Sequence, residues 1–268
     1  MKTEMFDAVN NAFSKQSEIF NEIYTKNPIT TWMRAQVRTH VMTGLKPGMK
    51  MLEINAGTGL DAVFFAQKGI HVHATDLSYG MITELEKAVK ENQLENYMRV
   101  QQCSFTELSK TGKKDIDYIF SNFGGLNCIN DLRIVTKQFP QILKHGGIVT
   151  VVIMPKISPW ELLSFFKGNF KTAFRRFRKN GTPSTIEGAH FLTFYFSVSE
   201  IKKAFGKDFK IISLKGLASL SPPPYKEKWA IQNHRLYSFL TKFDEKFCSV
   251  FPFNHCADYI VATFRYIG

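Results

Sequence analysis

These 268 residues predict a doubly wound α/β fold, a mostly parallel sheet with helices on both faces. Three observations predict it. Residues 51–76, MLEINAGTGLDAVFFAQKGIHVHATD, read as strand, glycine turn, helix and strand. Short apolar runs then alternate with helical periods as far as Met154, the pattern of parallel strands joined by helical crossovers. The content is 44% hydrophobic and 22% charged, enough apolar residues for a sizeable core.

The elements follow in order. Residues 1–46 predict two helices. Phe6, Val9, Phe13, Phe20 and Tyr24 fall near one face of the first. Asn27-Pro28 opens the second as N-cap and first-turn proline, Ile29, Met33, Val37, His40 and Val41 form its stripe, and Gly44 ends it. Strands are expected at 50–55 and 70–75. Ser78 caps a helix running to Asn92 with Met81, Ile82, Leu85 and Val89 inward. Strands at 98–103 and 116–121 come next. Asn130 or Asp131 caps a helix carrying Leu132, Val135, Phe139 and Leu143, which Pro140 should kink. His145-Gly146-Gly147 ends it ahead of a strand at 148–153.

The remainder reads less regularly. Residues 155–195 are too long for a simple connection and predict an insertion or lid. Within it Phe166, Phe170, Phe174 and Phe177 line one helical face, and Lys167, Lys171, Arg175, Arg178 and Lys179 cover the other. Such a helix caps a hydrophobic pocket or lies on an anionic membrane, and the cap is the favoured expectation. Residues 181–188 read as a flexible turn and 190–195 as a strand. A helix capped at Ser197 or Ser199, a strand at 209–214, a proline-rich turn at 216–225, a helix at 229–247 and a strand at 257–266 complete the chain.

The chemistry gathers at the first turn. Gly57 and Gly59 let the backbone bend sharply and approach a ligand, and the following helix points its free N–H groups at the same spot. Asp76, at the tip of the next strand, can take both hydroxyls of a ribose. Gly57-Thr58-Gly59-Leu60-Asp61-Ala62 matches G-x-G-x-x-A, so a dinucleotide also fits. Glu53 before the turn tips the balance, because a carboxylate suits a cationic ligand better than a pyrophosphate.

Together L-E-I-N-A-G-T-G and D-L-S-x-x-M, the latter at Asp76 to Met81, resemble the first two motifs of class I S-adenosylmethionine (SAM) methyltransferases. K-H-G-G-I-V-T-V-V resembles the turn into their fifth strand, with His145 where proline is common. The resemblance is to the small-molecule branch that includes the ubiquinone and menaquinone methyltransferases. It covers residues 45–154 well and 190–268 more loosely. It implies a seven-stranded, Rossmann-like sheet with an antiparallel last strand, SAM as cofactor, and methyl transfer to a small hydrophobic or aromatic metabolite. The implied cofactor wall is Glu53, Asn55, Ala56, Gly57, Thr58 and Gly59, then Asp76, Leu77 and Met81. Cys103, Ser104 and Phe105 follow strand three, and Asn122 and Phe123 follow strand four. Asn55 and Ala56 depart from the family's glycine and small residue, and no acid ends strand three to meet the adenine amine. His190 is the first candidate base, with Tyr195 and Tyr24 behind it, and Arg34 lies on the same leader as Tyr24. The expected organisation is a helical cap at 1–46, a cofactor-binding core at 47–154, a lid at 155–196 and the end of the sheet at 197–268.

Charge and cysteine bound the partners. Residues 1–154 carry 17 Lys and Arg against 15 Asp and Glu, and residues 155–268 carry 18 against 8. The formal +12 therefore sits almost wholly in the second half. A basic half fits an acidic substrate, a membrane surface or nothing beyond solubility. No base-stacking or groove-reading module accompanies it, and Pro222-Pro223-Pro224-Tyr225 falls too late for the N-P-P-Y motif of amino-methyltransferases, so nucleic acid is not expected. Cys103, Cys128, Cys248 and Cys256 show no metal-ligand spacing, so no metal is expected. MKTEMFDAVNN does not read as a signal peptide, and a cytoplasmic location is the expectation. Two rivals stand beside methyl transfer: a nicotinamide-dependent oxidoreductase on the same turn, and a catalytically silent methyltransferase-like binding protein. Oligomeric state and the acceptor atom are not readable.

Overall fold

The computed structural model describes residues 2–268, with the side chains of 2–6 left aside, so Phe6 lies outside the described residues. Two helices lead, α1 (Lys2–Lys26) and α2 (Pro28–Met42). Asn27 separates them as expected: its Oδ1 accepts from the N–H of Ile29 (3.0 Å) and Thr30 (3.2 Å), leaving Pro28 at a position that needs no donor. Strands then alternate with helices through β1 (Lys50–Ile54), α3 (Leu60–Ala66), β2 (His71–Asp76), α4 (Tyr79–Glu91), β3 (Met98–Gln102), β4 (Ile116–Ser121), α5 (Arg133–Thr136) and β5 (Leu143–Ile153). Then come α6 (Pro159–Leu162), α7 (Phe170–Ala173), β6 (Thr182–Ile186), β7 (Ala189–Thr193), α8 (Val198–Phe205), β8 (Phe209–Leu217), α9 (Glu227–Gln232), α10 (His234–Phe247) and β9 (Tyr259–Tyr266).

Seven strands form one sheet in the order β3-β2-β1-β4-β5-β9-β8. β1 pairs in parallel with β2 and β4, and β9 runs antiparallel between β5 and β8. Strand order reverses between β1 and β4, so a crevice opens beyond their carboxyl ends. Two apolar layers cover the sheet. One joins Met33, Val37 and Val41 of α2 to Phe65 and Leu85, and the other is aromatic, with Phe139, Phe205, Phe209 and Phe264 packed together. Phe205 and Phe264 stack at 3.7 Å between ring centres. Each such ring removed from water contributes about 1.5–3 kcal/mol.

Four expectations are corrected. The single helix from Asn130 to Leu143 is instead the one-turn α5 and a 3-10 turn at Phe139–Gln141. Pro140 has no N–H for a continuing helix, so it starts the second turn rather than kinking the first. His145-Gly146-Gly147 belongs to β5, beside a register shift against β4. Residues 181–188 are no loose turn: 182–186 form β6, which pairs with β7 as a separate hairpin. The long helix at 229–247 breaks at Asn233 into α9 and α10. Among the described residues no helix is long and apolar enough to cross a membrane.

Candidate active site

The turn after β1 is built by backbone conformation. Asn55, Gly57 and Gly59 all have positive φ (+58°, +57° and +87°). Asparagine tolerates the left-handed region better than most L residues, which answers its departure from the expected glycine. Gly59 has no such substitute: a Cβ there would lie 2.0 Å from Leu85 Cδ1. The turn is tied down by the N–H of Ala56 donating to Thr75 O (3.0 Å) and that of Gly57 donating to Asp76 Oδ2 (2.9 Å).

A cavity opens beside it, walled by the carboxyl ends of β1, β2 and β4 and roofed by Val9, Phe13, Phe20 and Tyr24 of α1. The roof is held by polar contacts. Ser14 Oγ meets Ser78 Oγ at 2.8 Å, the N–H of Tyr79 donates to Asn10 Oδ1 (3.2 Å), and Thr58 Oγ1 donates to Asn21 Oδ1 (2.5 Å). Gly80 permits this crossing, since a Cβ there would come 2.7 Å from Ser14 O. The hairpin props the far end, with Phe13 and Phe191 at 5.9 Å.

Acids dominate the floor. Asp61 is buried and accepts from Arg34 Nη1, Arg38 Nε (2.7 Å) and Asn122 Nδ2 (2.8 Å). Arg34 also lies over the Phe123 ring at 4.7 Å. Glu53 is 1% exposed, and its Oε2 has no hydrogen-bond partner among the described residues. Burial, and next the charge of Asp61, hold its carboxyl well above the usual range. Asn55 Oδ1 is likewise buried and unpartnered. Asp76 accepts from Gly57 on one oxygen and from Ser78 N–H (2.8 Å) on the other. Burial raises its pKa while these N–H groups oppose the rise. A carboxylate has about four acceptor sites, so with the Leu77 N–H also directed at it Asp76 keeps room for a ribose hydroxyl.

The cavity gathers much of the expected wall. Glu53, Asn55, Ala56 and Gly57 line it at the turn, with Asp76, Leu77 and Met81 along one side. Cys103 and Phe105 continue that apolar side, and Asn122 and Phe123 close the other. Three expected residues stand back from it. Thr58 is turned to Asn21, Gly59 caps α3, and Ser104 bonds within its own turn to Thr106 (2.8 Å). Of the candidate bases only Tyr24 lines the cavity. It is stacked on Phe20 at 4.2 Å, and burial raises its pKa against the charge of Arg34, so it is a neutral phenol. His190 is corrected: it is exposed on β7, with Nδ1 2.8 Å from Thr185 Oγ1. Tyr195 is corrected too, being packed beneath Arg176 at 5.0 Å outside the cavity wall. Asp61 and Arg38 were not singled out in the sequence. The signal was an acid in the first turn of α3, the end where a helix favours negative charge, with arginines one helical turn apart on α2. Cys128 lines the cavity as an inert thiol, pushed up to about 12 by burial. Among the described residues no group of His, Cys, Asp and Glu is placed to hold a metal ion.

Comparison with known proteins agrees with this geometry. Residues 51–147 match the family model described as a methyltransferase domain. A demethylmenaquinone methyltransferase of Corynebacterium glutamicum is 28% identical over 152 residues, 55% of this chain and 56% of the relative. A malonyl-[acyl-carrier protein] O-methyltransferase of Hamiltonella defensa is 32% identical over 108 residues, 40% and 39% of the two chains. The chain thus matches about half the length, or less, of these curated relatives. Among solved structures, the [4+2]-cyclase SpnF superposes with a TM-score of 0.64 at 15% identity, covering 96% of this chain and 94% of that one. Geranyl diphosphate C-methyltransferase from Streptomyces coelicolor, in complex with S-adenosyl-L-homocysteine, gives 0.57 at 14% identity over 87% and 79%. A cyclase and a methyltransferase on one architecture show that these likenesses carry the fold and not a reaction.

Proposed function

We propose, from the premise that residues 51–147 are a class I methyltransferase domain, that this chain binds SAM at the glycine turn and methylates a small hydrophobic or aromatic metabolite. The observation that carries the reading is the pair of unpartnered buried oxygens, Glu53 Oε2 and Asn55 Oδ1, on two residues that line the cavity. A buried acceptor without a donor is costly, and a cationic ammonium is the donor that suits a carboxylate. Glu53 and Asp76, the two carboxyls on the cavity wall without an arginine partner, oppose the pyrophosphate of a nicotinamide cofactor, which disfavours the oxidoreductase. The demethylmenaquinone methyltransferase relative supports an acceptor of apolar, ring-bearing type.

SAM, when bound, supplies an activated methyl that the acceptor's nucleophile takes in one in-line displacement, the C–S electron pair leaving with sulfur. The chain's work is then largely placement. Asp76 holds a ribose hydroxyl through the acceptor capacity its backbone partners leave. Leu77, Met81 and Phe105 make an apolar slot for a flat base, in place of the missing acid. Phe20 and Tyr24 close the roof against water, and Tyr24 offers a hydrogen bond to the acceptor side. Phe123, held in the left-handed region (φ +44°), is fixed between Arg34 and Tyr259 on the cavity wall.

Calorimetry with SAM and S-adenosylhomocysteine tests the cofactor, and transfer of a labelled methyl to a lipophilic extract tests the reaction. Both ligands are expected to bind and the label to move. Absence of heat with either ligand defeats the reading.

A further inference from the structure

The insertion between β5 and β6 presents a surface that neither the core nor the cavity explains. It was expected to be one amphipathic helix capping a pocket. Instead Gly168 (φ +73°) and Asn169 break it into short turns, and none of its phenylalanines lines the cavity. Leu163, Phe165, Phe166, Phe170, Phe174 and Phe177 are between 44% and 83% exposed. They are not scattered. Phe165 meets Phe166, Phe170 and Phe174 edge-on at 5.6, 5.2 and 6.1 Å, and Phe174 reaches Phe177 at 6.3 Å. A contiguous exposed aromatic patch of this kind marks an interaction surface.

Charge says what covers it. Residues 162–186 contain six Lys and Arg and no Asp or Glu. Glu161 occupies Arg175 and Arg176. Lys167, Lys171, Arg178 and Lys179 are exposed and, among the described residues, make no ion pair. Apolar rings ringed by cations complement an apolar layer under anionic head groups. Single-stranded nucleic acid fits less well, because bases stack on open aromatic faces and these rings turn edges and faces into one another.

We propose that residues 163–179 dock this protein on an anionic lipid bilayer. The phenylalanine rings reach the acyl boundary, and Lys167, Lys171, Arg178 and Lys179 meet the phosphates. The segment is held rigidly for this. Arg176, 3% exposed, bridges Glu161 and Asp258 Oδ1 (2.7 Å each), which fixes the short turns to the start of β9. Docking stands independently of methyl transfer.

The test is co-sedimentation of the full chain with extruded vesicles, either phosphatidylcholine mixed with phosphatidylglycerol or phosphatidylcholine alone. The wild type is expected to pellet with the anionic vesicles, less at high salt, and to stay in solution with the neutral ones. Phe166→Ser with Phe170→Ser, and separately Lys167→Glu with Lys171→Glu, should each weaken binding about tenfold or more. Circular dichroism checks that both fold, and Arg178→Glu with Lys179→Glu replaces either one that does not. The proposal is overturned if the wild type ignores anionic vesicles, if the lysine variant pellets like wild type, or if a single-stranded oligonucleotide displaces the protein from the vesicles.

Discussion

Two buried arginine–carboxylate networks sit in this molecule, and they behave differently. Around Glu161, Arg175 donates from Nε and Nη2 (2.7 Å each) and Arg176 from Nε (2.8 Å), so both carboxylate oxygens are occupied. Burial alone would raise Glu161, but the bonds and charges of the two arginines win and hold it below the usual carboxylate range. Around Asp61, Arg34 and Arg38 are likewise consumed, but neighbouring Glu53 is left without a donor and is driven up. The first network is closed and fastens the insertion to the sheet. The second is open and faces a cavity. Burial of charge therefore does not distinguish a site from a strut; an oxygen still waiting for a proton donor does.

Cutting the closed network should have the largest effect. Glu161→Ala leaves Arg176 buried with one fewer counter-charge and is expected to cost about 3–5 kcal/mol in urea unfolding. A loss below about 1 kcal/mol would show that this clamp is not buried in solution.

Glu53→Gln sharpens the contrast, because its two effects have opposite signs. Affinity for SAM should drop about tenfold in calorimetry at neutral pH, while unfolding stability at that pH holds or rises. The pH dependence fixes the cause. With its folded pKa above the ordinary 4.5, wild-type Glu53 keeps a proton that the unfolded chain has lost. Its contribution therefore favours folding at low pH and fades as pH rises from 4.5 through the folded value. Affinity for a cationic ligand rises across the same window as Glu53 ionises. The variant should show neither slope, and a variant that keeps them would assign the titration elsewhere.

The smallest expected change is Phe166→Ser on the insertion. Its ring is 83% exposed, so thermal unfolding should move by no more than about 0.5 kcal/mol either way. A larger loss would mean the ring is packed against the body.

Local patterns explain what could be read beforehand and what could not. The span from β1 to β2 was readable because a strand, a left-handed turn and a helix each leave their period in neighbouring residues. The segment from Asn130 to Leu143 has a helical apolar period, yet its core contacts are met by two short turns, since Pro140 forbids the ladder between them. β6 was hidden because Gly181, Pro183, Ser184 and Gly188 read as turn residues; the strand exists by pairing with β7 alone, where an edge proline costs little. The exposure of His190 has a local cause. Alternation along β7 buries Phe191 and Thr193 and sends His190 to the other face.

The amino-acid order by itself determined the doubly wound sheet, the left-handed turn at Asn55 to Gly59 and the acid at Asp76. These depend on backbone preferences and periods spanning a few residues. Only the tertiary structure decided that Tyr24 and Arg34 of the leader share a cavity with Glu53, that Asp61 takes both arginines, and that the insertion's phenylalanines face outward. Those outcomes depend on which of many distant partners satisfies a buried charge first, and nearest-neighbour pattern carries no record of that competition.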